Sequence, residues 1–102
     1  MSDTNDRLRT NIRTRCAQLE AELPWYNTAA VADATGWSAT YWRAIKSTPG
    51  DVGLLMLSRL SQLLAVPMAD LLGDTADVIR HPVPAHRWLD EYDADSRNGW
   101  KP

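Results

Sequence analysis

Residues 38–48, SATYWRAIKST, carry hydroxyl and cationic side chains at the spacing of one helix face. Thr40, Arg43 and Ser47 are three and four residues apart, so in a helix they lie on the same side. Lys46 and Thr48 lie at the end of the same stretch. A hydroxyl donates or accepts a hydrogen bond, a guanidinium can donate two parallel ones, and an ammonium group binds an anion. These groups suit binding to a polar, negatively charged surface.

The residue types that enzymes and metal sites use are not grouped in this sequence. His81, His86 and Cys16 lack the spacing of metal ligands. His86 and Asp90 are four residues apart and fit a surface hydrogen bond better than a catalytic dyad. The chain also lacks a nucleophile elbow, a phosphate-binding glycine loop and a paired-carboxylate cleft. We therefore expect no enzymatic activity, no metal site and no cofactor.

Short helices are the elements expected to hold residues 38–48 in place. Apolar periodicity, caps and breakers predict five of them, over 5–23, from Asn27 or Thr28 to about 35, from Ser38 to about 46, over 54–65 and over 67–72. No segment alternates long enough to predict a strand. The expected fold is an all-α domain of residues 1–74. A C-terminal extension, 75–102, follows, and its residues 85–95 can form a short helix that packs on the domain or at a dimer interface.

The second and third predicted helices and the turn between them have the shape of a helix-turn-helix. Gly36 can adopt the positive φ that ends the second helix, and Ala32 is small where the two helices would cross. Trp37 and Trp42 fall at inward positions. Because the chain has no Phe, we expect these two rings to fill the core. Their display for stacking on bases is the alternative.

From about Tyr26 to Leu72 the chain resembles the lambda-repressor-like, Xre-type family of helix-turn-helix DNA-binding proteins. The resemblance rests on NTAAVADATGWSATYWRAIK as the two-helix unit and on LLMLSRLSQLLAVPMADLL as the helices that follow. LLAVPMADLL is similar to the family's ending, in which a Leu and a small residue precede Val and a closing Leu-Leu. The family usually has an aliphatic residue at Thr35, a Gly at Thr48 and a polar, base-reading residue at Ala39.

The resemblance implies a five-helix domain whose third helix enters the major groove of double-stranded DNA. Thr40 and Arg43 would then hydrogen-bond base edges, and Arg43 can bind guanine through two hydrogen bonds. Ala39 and Ala44 can contact only thymine methyl groups.

Five further residues are expected at the phosphate backbone or beside it. Thr28 matches a position that grips the backbone in relatives, and it lies at a helix start, where N–H groups attract anions. Ser38 is expected to cap the third helix and to reach phosphate. Lys46, Ser47 and Thr48 lie where the chain would leave the groove.

Arginines crowd the first helix, at positions 7, 9, 13 and 15. Arg9 and Arg13 share a face one turn apart and can extend the contact with phosphates. The alternative is pairing with Asp6 or Glu20 on a solvated face.

Three apolar residues of the fourth helix, Leu55, Met56 and Leu63, are predicted to lie off the core face. Exposed apolar neighbours mark a partner surface, and relatives dimerise near this region. The alternative is that the C-terminal extension covers them within one chain.

Composition limits the function classes. A net charge of −2 counts against a protein that coats nucleic acid or membranes indiscriminately, although six of the 11 Lys and Arg residues lie in residues 1–50. The single cysteine cannot form an internal disulfide. No signal-peptide core is visible, and the longest apolar run, 54–57, is too short to cross a bilayer. We expect a cytoplasmic protein without a membrane partner.

Two functions remain. The favoured one is a sequence-specific DNA-binding transcription regulator, a homodimeric repressor of phage, prophage or mobile-element type that binds an inverted repeat. The alternative is a protein-interaction module on the same fold, an antitoxin or adaptor that binds another protein. The negative net charge and Ala39 favour the alternative, whereas Thr28, Thr40 and Arg43 favour DNA.

Overall fold

A computed structural model describes residues 3–49 and 53–91 of the chain. Within these ranges the chain is all-α, as predicted, with six α-helices, one short 3-10 helix and no strand. The helices are α1 (Asp3–Glu22), α2 (Thr28–Thr35), α3 (Ala39–Ser47), α4 (Leu54–Leu64), α5 (Met68–Leu71) and α6 (Thr75–Ile79), and the 3-10 helix is Trp88–Glu91.

The helix ends around α2 and α3 follow local signals in the sequence. Asn27 caps α2, and its side-chain oxygen accepts a hydrogen bond from the Ala30 N–H at 2.8 Å. Gly36 ends α2 with a φ of 79°, a conformation that glycine adopts without strain. Ser38 caps α3 and accepts from the Tyr41 N–H at 3.0 Å. The turn between the two helices is therefore closed by hydrogen bonds at both ends.

A single hydrophobic core lies between α1 and the helices packed on it. Ile12 and Leu19 of α1 and Leu60 of α4 are fully buried. Trp42 is also fully buried and Trp37 is 3% exposed, so both rings fill the core, as predicted. Their ring centroids are 6.1 Å apart.

The buried face of α4 differs from the prediction. Leu63, expected at a partner surface, is fully buried. Leu54 lies three residues before the buried Leu57, at the spacing of one helix face, but is 74% exposed. The buried face of α4 is formed by Leu57, Leu60, Leu63 and Leu64. The Tyr26 hydroxyl donates to the Leu63 carbonyl at 2.8 Å, so the last turn of α4 is covered while its first turn projects beyond the core.

The segment 75–91 is packed on the helical core. Helix α6, which the periodicity did not predict, packs against α1 and α5, and its Val78 is fully buried. The helix predicted over 85–95 begins only at Trp88 and is a 3-10 helix through Glu91. Residues 92–95 lie outside the described part. Leu89 is 4% exposed, and the Trp88 ring stacks on Tyr26 with centroids 5.6 Å apart.

A buried arginine of α1 joins this segment to α4. Arg15, one of the four arginines of the first helix, is fully buried. Its guanidinium donates to four backbone carbonyls, those of Leu64, Ala65, His81 and Pro82, at 2.8–3.2 Å. Burial lowers its pKa from the ordinary value. The carbonyl dipoles compensate the charge, and Arg15 thereby links the end of α4 to residues 81–82.

A buried asparagine of α1 makes a second link. The Asn11 side-chain amide donates to the carbonyls of Leu71 and Gly73 at 2.8 and 2.9 Å. Its oxygen accepts from the Thr75 hydroxyl at 2.7 Å. Asn11 therefore joins α1 to the end of α5 and the start of α6.

Candidate nucleic-acid interface

Helix α3 has one buried face and one face open to solvent. Trp42 and Ile45 point into the core, at 0% and 9% exposure. The opposite face carries four exposed residues, Thr40, Arg43, Ala44 and Ser47. The residues expected to contact DNA from the middle of the helix therefore share one accessible surface.

The orientation of that surface is set by the α2–α3 turn. Thr35 is fully buried, and its hydroxyl donates to the Val31 carbonyl at 2.8 Å. The same hydroxyl accepts from the Trp37 N–H at 3.0 Å. A threonine is thus accommodated at a position where an aliphatic residue was expected, because both of its hydrogen-bonding functions are used inside the turn.

The two cations of α3 are in different environments. Arg43 is exposed, and no hydrogen bond or ion pair joins its guanidinium to another residue of 3–49 or 53–91. The Lys46 ammonium nitrogen lies 5.4 Å from the centroid of the Trp42 ring, and this cation–π contact holds it beside the helix. Arg43 can therefore bind a ligand without breaking a contact within the described chain.

The residues at the two ends of α3 take part in its capping. The Ser38 side-chain oxygen is occupied as an acceptor, but a hydroxyl that accepts can still donate. The Thr48 hydroxyl donates to the Ala44 carbonyl at 3.3 Å. Ala39 is half-buried at the first position of α3.

Thr28, expected at the phosphate backbone, lies on the neighbouring helix. It is half-buried at the first position of α2. Asn27 performs the capping there, so the cap does not use the Thr28 hydroxyl.

An open groove of about 260 Å³ runs between α1 and α3. We call it the α1–α3 groove. Its lining includes Arg13, Cys16 and Glu20 from α1 and Arg43, Lys46 and Ser47 from α3. The structure thus brings Arg13 to the cations of α3, a proximity that sequence spacing alone did not reveal.

The two α1 arginines expected at phosphates are separated by the structure. Arg9 lies 3.8 Å from Asp6 in an exposed ion pair, the pairing that was the alternative for this residue. Arg13 is exposed and lines the α1–α3 groove. It forms no ion pair within the described residues.

The cysteine in the groove is a poor nucleophile. Cys16 is 3% exposed, and its thiol donates to a Glu20 carboxylate oxygen at 3.4 Å. Burial, with a smaller contribution from Glu20, raises the pKa of Cys16 to about 12. The thiol is therefore protonated near neutral pH, and the reactive thiolate is scarce.

The remaining polar groups do not gather into a metal site. Within residues 3–49 and 53–91, no three His, Cys, Asp or Glu side chains are placed to share a metal ion. His81 instead bonds through Nε2 to the Asp70 carboxylate, which ties the segment after α6 to α5.

Exposed apolar side chains occur at the start of α4. Leu54 and Leu55 are 74% and 63% exposed. Met56 is only half-exposed and packs against the core. Of the predicted partner surface, Leu55 is therefore fully accessible, Met56 partly and Leu63 not at all. Exposed Met68, Leu72 and Ile79, on and around α5 and α6, were missed because short helices give little periodicity.

Comparison of the chain with protein families, with curated proteins and with solved structures finds no match. In the described part of the chain, no helix has the length and apolar character needed to cross a membrane.

Proposed function

We propose that the protein is a sequence-specific DNA-binding transcription regulator of the lambda-repressor-like helix-turn-helix type. The observation that carries the proposal is the exposed face of α3. Thr40, Arg43, Ala44 and Ser47 lie there together, while Trp42 on the opposite face is fully buried. This arrangement supports a role in which the buried face of α3 anchors the helix in the core and the exposed face contacts a partner.

The chemistry of this face suits the major groove of DNA. The groove is about 12 Å wide and admits one α-helix. Arg43 can donate two hydrogen bonds to guanine, Thr40 can bond either class of base, and Ala44 can contact a thymine methyl group. Because Arg43 has no partner among the described residues, its binding to a base requires no internal contact to be given up.

The exposed leucines of α4 support a homodimer. Leu54 and Leu55 lie close in sequence to the end of α3, and apolar neighbours of this exposure favour burial against a partner. A twofold dimer would present two α3 helices to half-sites about one helical turn, or ~34 Å, apart. The DNA site would then be an inverted repeat. Repression of phage, prophage or mobile-element genes in the cytoplasm is the role we assign to such a dimer.

Selection from a random-sequence duplex library with the full chain tests this function. We expect an inverted repeat to be enriched. In fluorescence anisotropy, the selected duplex should bind at least about 10³-fold more tightly than a scrambled one. Its affinity should fall with salt, by a log–log slope of about 0.9 for each neutralised phosphate. A flat salt dependence, or equal affinity for both duplexes, would refute specific DNA reading.

A protein-interaction module on the same fold is the second candidate. The exposure of Leu54 and Leu55 and the net charge of −2 favour it. An antitoxin or adaptor would use the leucines to bind a different protein. This candidate would be favoured if the purified chain remains monomeric and binds no duplex. A toxin-like gene beside the gene for this chain would also favour it. An inverted repeat upstream of the gene would favour the regulator.

A further inference from the structure

We infer that the α1–α3 groove holds one phosphate group of the DNA backbone, and that Arg13 is the residue that α1 contributes to it. The inference rests on the proposed function and extends the DNA contact beyond α3. Arg13 lines the groove together with Arg43 and Lys46. Side chains from two helices, 30 residues apart in the sequence, thereby face one space.

The charge of the groove favours an anion. Three cations and one carboxylate, Glu20, are found along its lining, in a protein whose overall net charge is −2. The only hydrogen bond that the Glu20 carboxylate makes within the described residues comes from the Cys16 thiol. None of the three cations forms an ion pair within those same ranges. Within the described part of the chain, the three cations therefore outnumber the one carboxylate of the groove and none of them is ion-paired.

The position of the groove favours a phosphate that belongs to DNA. Arg43 and Ser47 border the groove and also belong to the exposed face of α3. A duplex seated on that face would bring its backbone to the edge of the groove. An open groove of about 260 Å³ can receive a phosphate that remains joined to its strand.

Arg9 provides a matched comparison on the same helix. It is an exposed arginine one turn before Arg13, but it is paired with Asp6 and does not line the groove. If only the net charge of α1 mattered, both arginines would contribute equally. If the groove holds a phosphate, Arg13 must contribute more.

The test measures the binding of Arg13→Gln, Arg9→Gln and Glu20→Gln full-length variants to the selected duplex and to a scrambled duplex. Arg13→Gln is expected to weaken both by a similar factor, because a phosphate contact carries no sequence information. Its salt slope should fall by about 0.9, so its deficit against wild type shrinks about 3.5-fold between 50 and 200 mM salt. Arg9→Gln should leave the slope nearly unchanged. Glu20→Gln should tighten binding, because it removes a negative charge and keeps an oxygen for the Cys16 thiol.

Other outcomes overturn the inference in distinguishable ways. If wild type binds no DNA, the proposed function fails and the phosphate site fails with it. Two results would refute only the phosphate site, provided that wild type binds the selected duplex. Either Arg13→Gln binds the duplex as tightly as wild type, or Arg9→Gln lowers the salt slope as much as Arg13→Gln does. Saturable binding of inorganic phosphate that requires Arg13, with DNA binding unchanged in Arg13→Gln, would assign the groove to a free anion instead. Thermal melts should be alike for wild type and Arg13→Gln, because Arg13 is exposed.

Discussion

Replacing Trp42 and Arg43 separately by alanine should separate an effect on folding stability from an effect on DNA binding. The two residues are adjacent in sequence but lie on opposite faces of α3. Trp42 is fully buried, whereas Arg43 is exposed and has no partner among the described residues. Each substitution therefore removes one role of the helix while leaving the other residue in place.

The loss of stability in Trp42→Ala follows from its burial. Truncation of a buried Trp costs about 3–5 kcal/mol, since the apolar contacts are lost and a cavity remains. Small domains are stable by only about 5–15 kcal/mol. At about 4–8 °C per kcal/mol for a domain of this size, the melting temperature should fall by roughly 12–40 °C. Weak DNA binding by this variant would follow from the unfolded fraction.

Arg43→Ala should behave in the opposite way. An exposed helical residue changed to Ala alters stability by about 0.5 kcal/mol or less, so the melt should match that of wild type. If Arg43 binds guanine through two hydrogen bonds, the selected duplex should lose about 1–3 kcal/mol, roughly 5- to 150-fold in affinity. The scrambled duplex should lose far less.

Circular dichroism melts and anisotropy titrations of both variants provide the measurement. Arg80→Ala is the control, because Arg80 is exposed and pairs with Asp77 beside α6, away from α3. A Trp42→Ala variant that melts like wild type but no longer binds DNA would show that this ring is displayed. An Arg43→Ala variant that binds the selected duplex like wild type would refute base reading by Arg43.

Three further substitutions and one control test the core link through Arg15 and the partner surface at the start of α4. Arg15→Met should lower the free energy of unfolding in urea by about 1.5–3 kcal/mol, the size of one charge-assisted hydrogen bond, because the buried Leu64 carbonyl loses its donor. A loss below about 1 kcal/mol would contradict the role given to Arg15. Leu55→Glu should convert a wild-type dimer to a monomer in sedimentation equilibrium while its helical content stays native, because Leu55 is 63% exposed, whereas Thr10→Glu, at an exposed position of α1, should remain dimeric. Met56→Glu should also lose stability, since Met56 packs against the core. A wild-type monomer would refute dimerisation through this surface.

The sequence alone was sufficient to predict those helix ends that depend on hydrogen bonds between near neighbours in the chain. Asn27 and Ser38 cap α2 and α3, and Gly36 has the left-handed conformation that ends α2. These features could be predicted because a cap involves only residues three or four positions apart. The burial of Trp37 and Trp42 also followed from helical spacing in a chain without Phe.

Tertiary packing decided which leucines and arginines are buried. Periodicity places Leu54 and Leu57 on one face, but only Leu57 is covered by the rest of the chain. The sequence does not distinguish Arg15 from the other arginines of α1, yet Arg15 is buried and four distant carbonyls compensate its charge. Helical spacing indicates a face, whereas burial depends on which other segments lie against that face.

The candidate site also depends partly on local sequence and partly on tertiary packing. The exposed residues of α3 could be predicted because they lie opposite Trp42 on one helix. The approach of Arg13 to Arg43 could not, because it depends on how α1 packs against α3. No local spacing shows that these two side chains, 30 positions apart, line the same groove. The sequence determined which groups α3 presents, and the packing of α1 on α3 decided which cation stands beside them.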